Sequence, residues 1–89
     1  MQPKYYCPCC GYDTLKEEPP GTYDICPICF WEDDPIQFND HDYEGGANQV
    51  SLRQAQINFE QFGACEEDMI KNVFNPDKSY KRNPSWKLT

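Results

Sequence analysis

The chain has 89 residues, 38% of them hydrophobic, with eight prolines and six cysteines. A chain this short excludes a large apolar interior and needs a second source of stability, and no apolar run reaches the length of a membrane helix. The formal charge of −7 is uneven: residues 1–70 hold fourteen acidic side chains against Lys4, Lys16 and Arg53, a balance of −11, while residues 71–89 hold five basic ones against Asp77, a balance of +4.

In chain order, Met1 to Tyr6 carry neither the apolar stretch nor the small-residue cleavage site of a secretion signal, so the cytoplasm is the expected compartment. A reducing compartment disfavours disulfides, and the six cysteines then read as metal chemistry. Tyr5 and Tyr6 lead as a short strand into Cys7-Pro8-Cys9-Cys10-Gly11, and Tyr12, Thr14 and Leu15 lead away from it. Lys16 to Gly21, with Pro19-Pro20-Gly21, is a turn. Tyr23 and Ile25 run into a second knuckle, Cys26-Pro27-Ile28-Cys29, which Phe30-Trp31 leaves. Fifteen residues separate Cys10 from Cys26, and two C-x-x-C pairs at that separation bring four thiolates to the corners of one tetrahedron. Cys7, Cys10, Cys26 and Cys29 are therefore the expected metal ligands, with one Zn²⁺ as the expected ion and iron, as in rubredoxin, as the lesser alternative. Four thiolates and one divalent ion take the formal charge from −7 to −9. The expected fold is a small α+β metal-bound domain: a zinc-ribbon or rubredoxin-like knuckle pair with short β-hairpins over about residues 4–33, followed by one or two helices.

Residues 34–50 read as an acidic loop anchored only by Ile36 and Phe38. Within it Asp40-x-Asp42-x-Glu44-Gly45 echoes the first half of a calcium loop. Position twelve falls on Ser51, where a glutamate is needed, so weak cation binding or a solvated acidic turn is expected and an EF-hand is not. Ser51 followed by Gln54 is a capping-box signal, and Leu52, Ala55, Phe59 and Phe62 share one helical face before Gly63, predicting a helix over 51–62. A shorter helix over 66–74 follows from Glu66, Glu67 and Asp68 at its start, the apolar Met69, Ile70, Val73 and Phe74, and Pro76 at its end. One domain is thus expected over 1–76, with residues 77–89 as a basic arm that Trp86 anchors.

Cys9, between two ligands, is expected to point outward as a passive thiol. Cys65, just ahead of the second helix, is the better nucleophile candidate because the helix dipole lowers a thiol pKa there, although a small buried apolar residue is the simpler reading. His41, flanked by Asp40 and Asp42, forms a triad with Cys65 on paper without support from the sequence, so an enzyme is the less expected class. Thirteen aromatic residues invite two readings: packing around the ribbon, or partial exposure of Tyr5, Tyr6, Tyr12, Tyr43 and Trp31 as anchors for a protein partner. An acidic body repels phosphate, so nucleic acid is not the expected partner. A nucleic-acid contact would need Lys78, Lys81, Arg82 and Lys87 to form one patch, and a thiol redox role is the other alternative.

The segments Cys7 to Leu15, Tyr23 to Asp34, Gly45-Gly46-Ala47-Asn48 with Ser51-Leu52, and Asn58-Phe59 with Gly63-Ala64-Cys65 together resemble the cysteine-rich CPCC family of small bacterial proteins. The likeness covers roughly residues 5 to 70 and leaves the tail after Asn75 outside it. It implies a metal-binding domain of this size without an assigned activity. In that pattern Cys9 and Cys65 recur beside the four ligands.

Overall fold

The structure, a computed structural model, describes residues 4–88; residues 1–3 and 89, the outer ends of the expected domain and arm, lie outside the described residues. The two knuckles are the same turn drawn twice. Cys7 N–H donates to the Tyr12 carbonyl (2.8 Å) and Gly11 N–H to the Cys7 carbonyl (2.8 Å), while Cys26 N–H donates to Trp31 (2.9 Å) and Phe30 N–H to Cys26 (2.7 Å). The turn closes through a left-handed residue four positions after its first cysteine, Gly11 at φ +82° and Phe30 at φ +69°. Glycine adopts that conformation freely, whereas a side chain there costs about 1–2 kcal/mol.

The flanks of the knuckles meet as single antiparallel bridges, Tyr5 with Leu15 and Ile25 with Glu32, in place of extended hairpin strands. Backbone bonding continues past the second bridge, with Asp33 N–H on the Asp24 carbonyl (3.0 Å) and Tyr23 N–H on the Asp33 carbonyl (3.0 Å). Past the second bridge, Asp33 turns its side chain inward, and its Oδ2 accepts from the backbone N–H (2.9 Å) and hydroxyl (2.8 Å) of Thr22.

The acidic stretch contains a helix that the sequence reading assigned to loop, α1 (Pro35–Asn39). Its start follows from Asp34-Pro35: the Asp34 carboxylate accepts from Ile36 N–H (2.7 Å) and Gln37 N–H (3.2 Å), and proline at the first helical position loses no hydrogen bond. The second Asp34 oxygen accepts from Ala47 N–H (2.9 Å). Burial pushes the Asp34 carboxyl up, but these backbone donors outweigh it and hold it below the ordinary carboxylate range. From α1 the fully buried Gln37 amide shares its two hydrogens among the carbonyls of Tyr43, Asn48 and Val50 (3.0–3.1 Å), and its oxygen accepts from Asn48 N–H and Nδ2. Asn48 in turn exchanges hydrogen bonds with both backbone groups of Glu32. The loop is thereby fastened to the second knuckle by amides rather than by apolar packing.

The next helix, α2 (Leu52–Phe62), starts at Ser51, whose hydroxyl accepts from Gln54 N–H (3.1 Å). Gln54 points along the helix to Asn58 (2.8 Å), so half of the capping box forms. Gly63, at φ +82°, ends the helix with its N–H on the Phe59 carbonyl. Leu52, Ala55 and Gln56 are buried against the knuckles, and Gln56 Nε2 donates to the Pro8 carbonyl (3.0 Å). The second expected helix is a 3₁₀ helix, Glu67–Asn72, shorter than 66–74 and without a side-chain cap. Met69 packs on the core while Ile70 and Phe74 stay exposed, so no single apolar face holds an α-helix in register.

The C-terminal arm returns to the first knuckle. Arg82 bridges Tyr12, and the Trp86 ring lies on Gly11 so closely that a Cβ there would meet it at 2.6 Å. Among the described residues the large apolar side chains buried completely are Trp31, Leu15, Ile28 and Leu52, joined by all six cysteines. A radius of gyration of 11.7 Å marks a compact domain, against about 12 Å for a folded chain of this length. No helix is long and apolar enough to cross a membrane.

Gln37→Leu keeps the side-chain volume and strips three carbonyls of their donor, that of Asn48 buried and those of Tyr43 and Val50 partly so. The substitution is expected to cost about 2–4 kcal/mol in denaturant melts, with the largest loss of amide protection in residues 43–50.

Candidate metal centre

The knuckle turns aim the sulfurs of Cys7, Cys10, Cys26 and Cys29 at one point, with all four Sγ atoms within 4.8 Å of one another. Across the site Cys7 and Cys29 are 3.6 Å apart and Cys10 and Cys26 3.7 Å. A tetrahedron with metal–sulfur bonds of 2.3 Å has an edge of about 3.8 Å, so the arrangement is that of a four-thiolate metal site. All four residues are at most 1% exposed, which closes the coordination sphere to water.

The electrostatics ask for a cation at the centre. Burial pushes the thiols of Cys7, Cys10 and Cys29 far above their ordinary range, and neighbouring sulfurs add to the rise. Cys26 moves the other way: bonds from the Cys10, Cys29 and Cys7 thiols, with the Thr14 hydroxyl at 3.1 Å, outweigh its burial and favour its thiolate. Four thiolates become compatible with burial only when positive charge sits among them.

Of the remaining two cysteines, the structure corrects the orientation expected of Cys9 and bears out the simpler reading of Cys65 as a small buried residue. Cys9 does not point outward; it is fully buried and lies against Cys29, because α2 and the segment around Cys65 cover that side of the knuckle. Cys65 is also fully buried, with its N–H on the Cys29 carbonyl (2.7 Å). Its thiol is pushed up, first by burial and then by the charges of Cys9 and Glu66, so no helix-dipole activation operates. Both residues are small packing elements of the metal centre, and an inaccessible Cys65 removes the nucleophile from the triad with His41. His41 accepts Arg53 N–H at its carbonyl (3.0 Å) beside the start of α2.

The acidic loop does not gather ligands. Asp42 is paired with Arg53 (2.7 Å), which holds its carboxyl below the ordinary range, and Asp40 accepts the Asp42 N–H in a local turn. Among the described residues the four cysteines are the only cluster of three or more metal-ligating side chains. Of the aromatic residues offered as surface anchors, Trp31 is core, while Tyr6 and Tyr43 are exposed.

Sequence reasoning missed three contributors: Thr14, Gln56 and Arg82, which donates from Nε to the Cys10 carbonyl (2.8 Å). Thr14 sits on a knuckle flank and was legible as a hydroxyl near sulfur. The other two act from 48 and 72 residues away, where no local pattern reaches.

Serine at any of the four clustered cysteines is expected to abolish metal retention and cooperative unfolding together, whereas Cys9→Ala and Cys65→Ala should bind metal and lose only about 1–3 kcal/mol of stability, read by elemental analysis and thermal melts. Protons compete for the sulfurs, so lowering the pH should release the metal and raising it again should restore binding. A chelator titration at several pH values checks the sign: apparent affinity rises with pH.

A family model described as Cysteine-rich CPCC matches residues 5–80, extending past Asn75, where the resemblance was expected to end, and into the first residues of the arm. No curated protein matches the sequence. With a match over most of its length, the chain belongs to the cysteine-rich CPCC family.

Proposed function

We infer that this protein is a structural zinc domain of the zinc-ribbon type whose work is binding another protein. The observation that carries the metal reading is the buried four-sulfur tetrahedron, whose edge matches zinc–thiolate bonds. Zinc held there supplies a cross-link between the two knuckles. The need for it is visible in the core, where cysteines outnumber large apolar side chains. Sulfurs at most 1% exposed favour a closed structural ion over an iron site that exchanges electrons at the surface. Six unbridged cysteines fit a reducing compartment such as the cytoplasm.

The interaction reading rests on what the small core leaves outside. Tyr23 (54% exposed), Ile25, Ile36 (56%), Ile70 and Phe74 are large apolar side chains in water on a chain of charge −7. Tyr23 is also held at φ +58°, a strained backbone for an exposed aromatic residue, of the kind that clusters at binding surfaces. Nucleic acid is disfavoured because Arg82, the centre of the required basic patch, is already engaged by Glu60 (2.7 Å) and the Cys10 carbonyl.

Protein isolated from its source cell is expected to carry one zinc per chain and no visible absorbance; stoichiometric iron with thiolate-to-metal bands would overturn the zinc assignment. Replacing Tyr23 and Ile25 by serine should leave metal content intact and abolish capture of protein partners from the same cell. Capture that survives both changes moves the interface elsewhere.

A further inference from the structure

The first knuckle differs from the second in one respect. At the second, the Cys29 carbonyl is capped by Cys65 N–H from the adjoining core. At the first, three consecutive carbonyls are all capped by the C-terminal arm. Trp86 Nε1 donates to Cys9 (3.1 Å), Arg82 Nε to Cys10 (2.8 Å) and Asn83 N–H to Gly11 (2.8 Å). The arm also pairs with the flank of the knuckle at a single antiparallel bridge, Tyr12 with Arg82, with Asp13 N–H on the Lys81 carbonyl (2.9 Å) and Lys81 N–H on the Asp13 carboxylate (2.8 Å). The Arg82 guanidinium stands 5.3 Å from the Tyr12 ring, 5.6 Å from Phe59 and 4.1 Å from Trp86, with Glu60 at 2.7 Å.

Without the arm, this face of the domain offers mainly acceptors: three carbonyls in a row, the carboxylates of Asp13 and Glu60 and two aromatic faces, with Asp13 N–H as a donor beside them. Such a surface selects a ligand that brings donors and a planar cation, and arginine with a nearby indole supplies both. The surface residues, 9–13 and 59–60, fall inside the span matched by the family model, while Arg82, Asn83 and Trp86 fall beyond its end at residue 80. The groove lies within the matched span, and the three residues that cap its carbonyls lie outside it. The occupant is also basic where the body it meets carries −11 over residues 1–70.

We propose that this edge of the first knuckle is a peptide-docking groove, that the chain's own arm is its resident pseudo-ligand, and that its exchanging occupant is an extended segment of a partner protein carrying arginine and, four residues on, tryptophan. The recognition is strand addition: main-chain bonds set the register, and the arginine cage and indole set the sequence. The linker from Val73 to Ser79 has no regular structure and the Arg82–Glu60 pair is partly exposed, so the arm is held by its contacts at residues 80–86 and not by the linker that carries it. A tether of this length holds the arm at an effective concentration on the order of millimolar, which sets the competition a partner must win. The inference rests on the reading above that the domain binds protein, and it adds a second contact surface on the first knuckle beside the Tyr23 and Ile25 face.

The test uses the full-length, zinc-loaded chain with Arg82→Ala and Trp86→Ala together, which removes both side-chain anchors of the arm and leaves it only its main-chain bonds, and a fluorescent synthetic peptide of residues 78–88. Anisotropy should show the peptide binding the double variant at least about tenfold more tightly than wild type, and peptides with alanine for the arginine or the tryptophan should lose about tenfold or more. Should the double variant not fold, wild type labelled with ¹⁵N is titrated with unlabelled peptide. Amide resonances of residues 81–87 are then expected to move to free-chain positions. Equal binding by wild type and variant, indifference to both substitutions in the peptide, or concentration-dependent dimerisation of wild type through exchanged arms overturns the proposal. Zinc content measured on the same samples separates the outcomes: zinc retained with no peptide bound sinks the groove alone, and zinc absent sinks the metal reading.

Discussion

Four sulfur atoms held within 4.8 Å of one another and sealed from water form the constraint that the remaining structure answers. Their thiolates repel and are stripped of hydration, so the arrangement survives only with compensating positive charge. In exchange it fixes two distant pieces of backbone. Each knuckle turn directs hydrogen-bonding groups outward, and later parts of the chain meet them one by one. Gln56 of α2 caps Pro8, Cys65 caps Cys29, Asn48 exchanges bonds with Glu32, and the arm caps residues 9 to 11. The fold outside the knuckles is largely a set of donors delivered to them.

This explains why polar side chains are buried in so small a domain. Gln37, Asn48, Gln56, Asp33 and Asp34 occupy interior positions that a larger protein would fill with aliphatic groups. A buried amide satisfied at every atom joins segments that lack the length for a ladder, and Gln37 does so for three carbonyls of a loop without regular structure. Asp33 is the exception, since its Oδ1 has no hydrogen-bond partner among the described residues while Oδ2 is doubly engaged by Thr22. Metal for the centre and amides for the periphery together replace an apolar core.

The charge asymmetry of the chain finds its meaning at the arm. A basic segment on an acidic body looks from composition like a tail reaching for an anion. In the folded protein its arginine is turned inward onto aromatic rings and a glutamate beside the metal centre. Lys4 stands over Tyr80 on the same side of the molecule, so cation–π contacts fasten the arm at two places.

The cysteine spacing, the Asp34-Pro35 helix start, the Ser51 cap and the Gly63 stop are relations among residues within about five positions, and turn and cap chemistry operates over that range, so the sequence by itself determined the knuckles and α2, and with them the identity of the metal cluster. α1 was equally legible and was lost only because the acidic composition around it reads as loop. The tertiary structure alone decided the inward burial of Cys9, the raised thiol of Cys65, the shortening of the last helix to a 3₁₀ turn and the seat of the arm. Each of these depends on which surface lies opposite a residue once segments dozens of positions apart are packed. Desolvation and hydrogen-bond capping are properties of that packed environment, and no local period or motif encodes them.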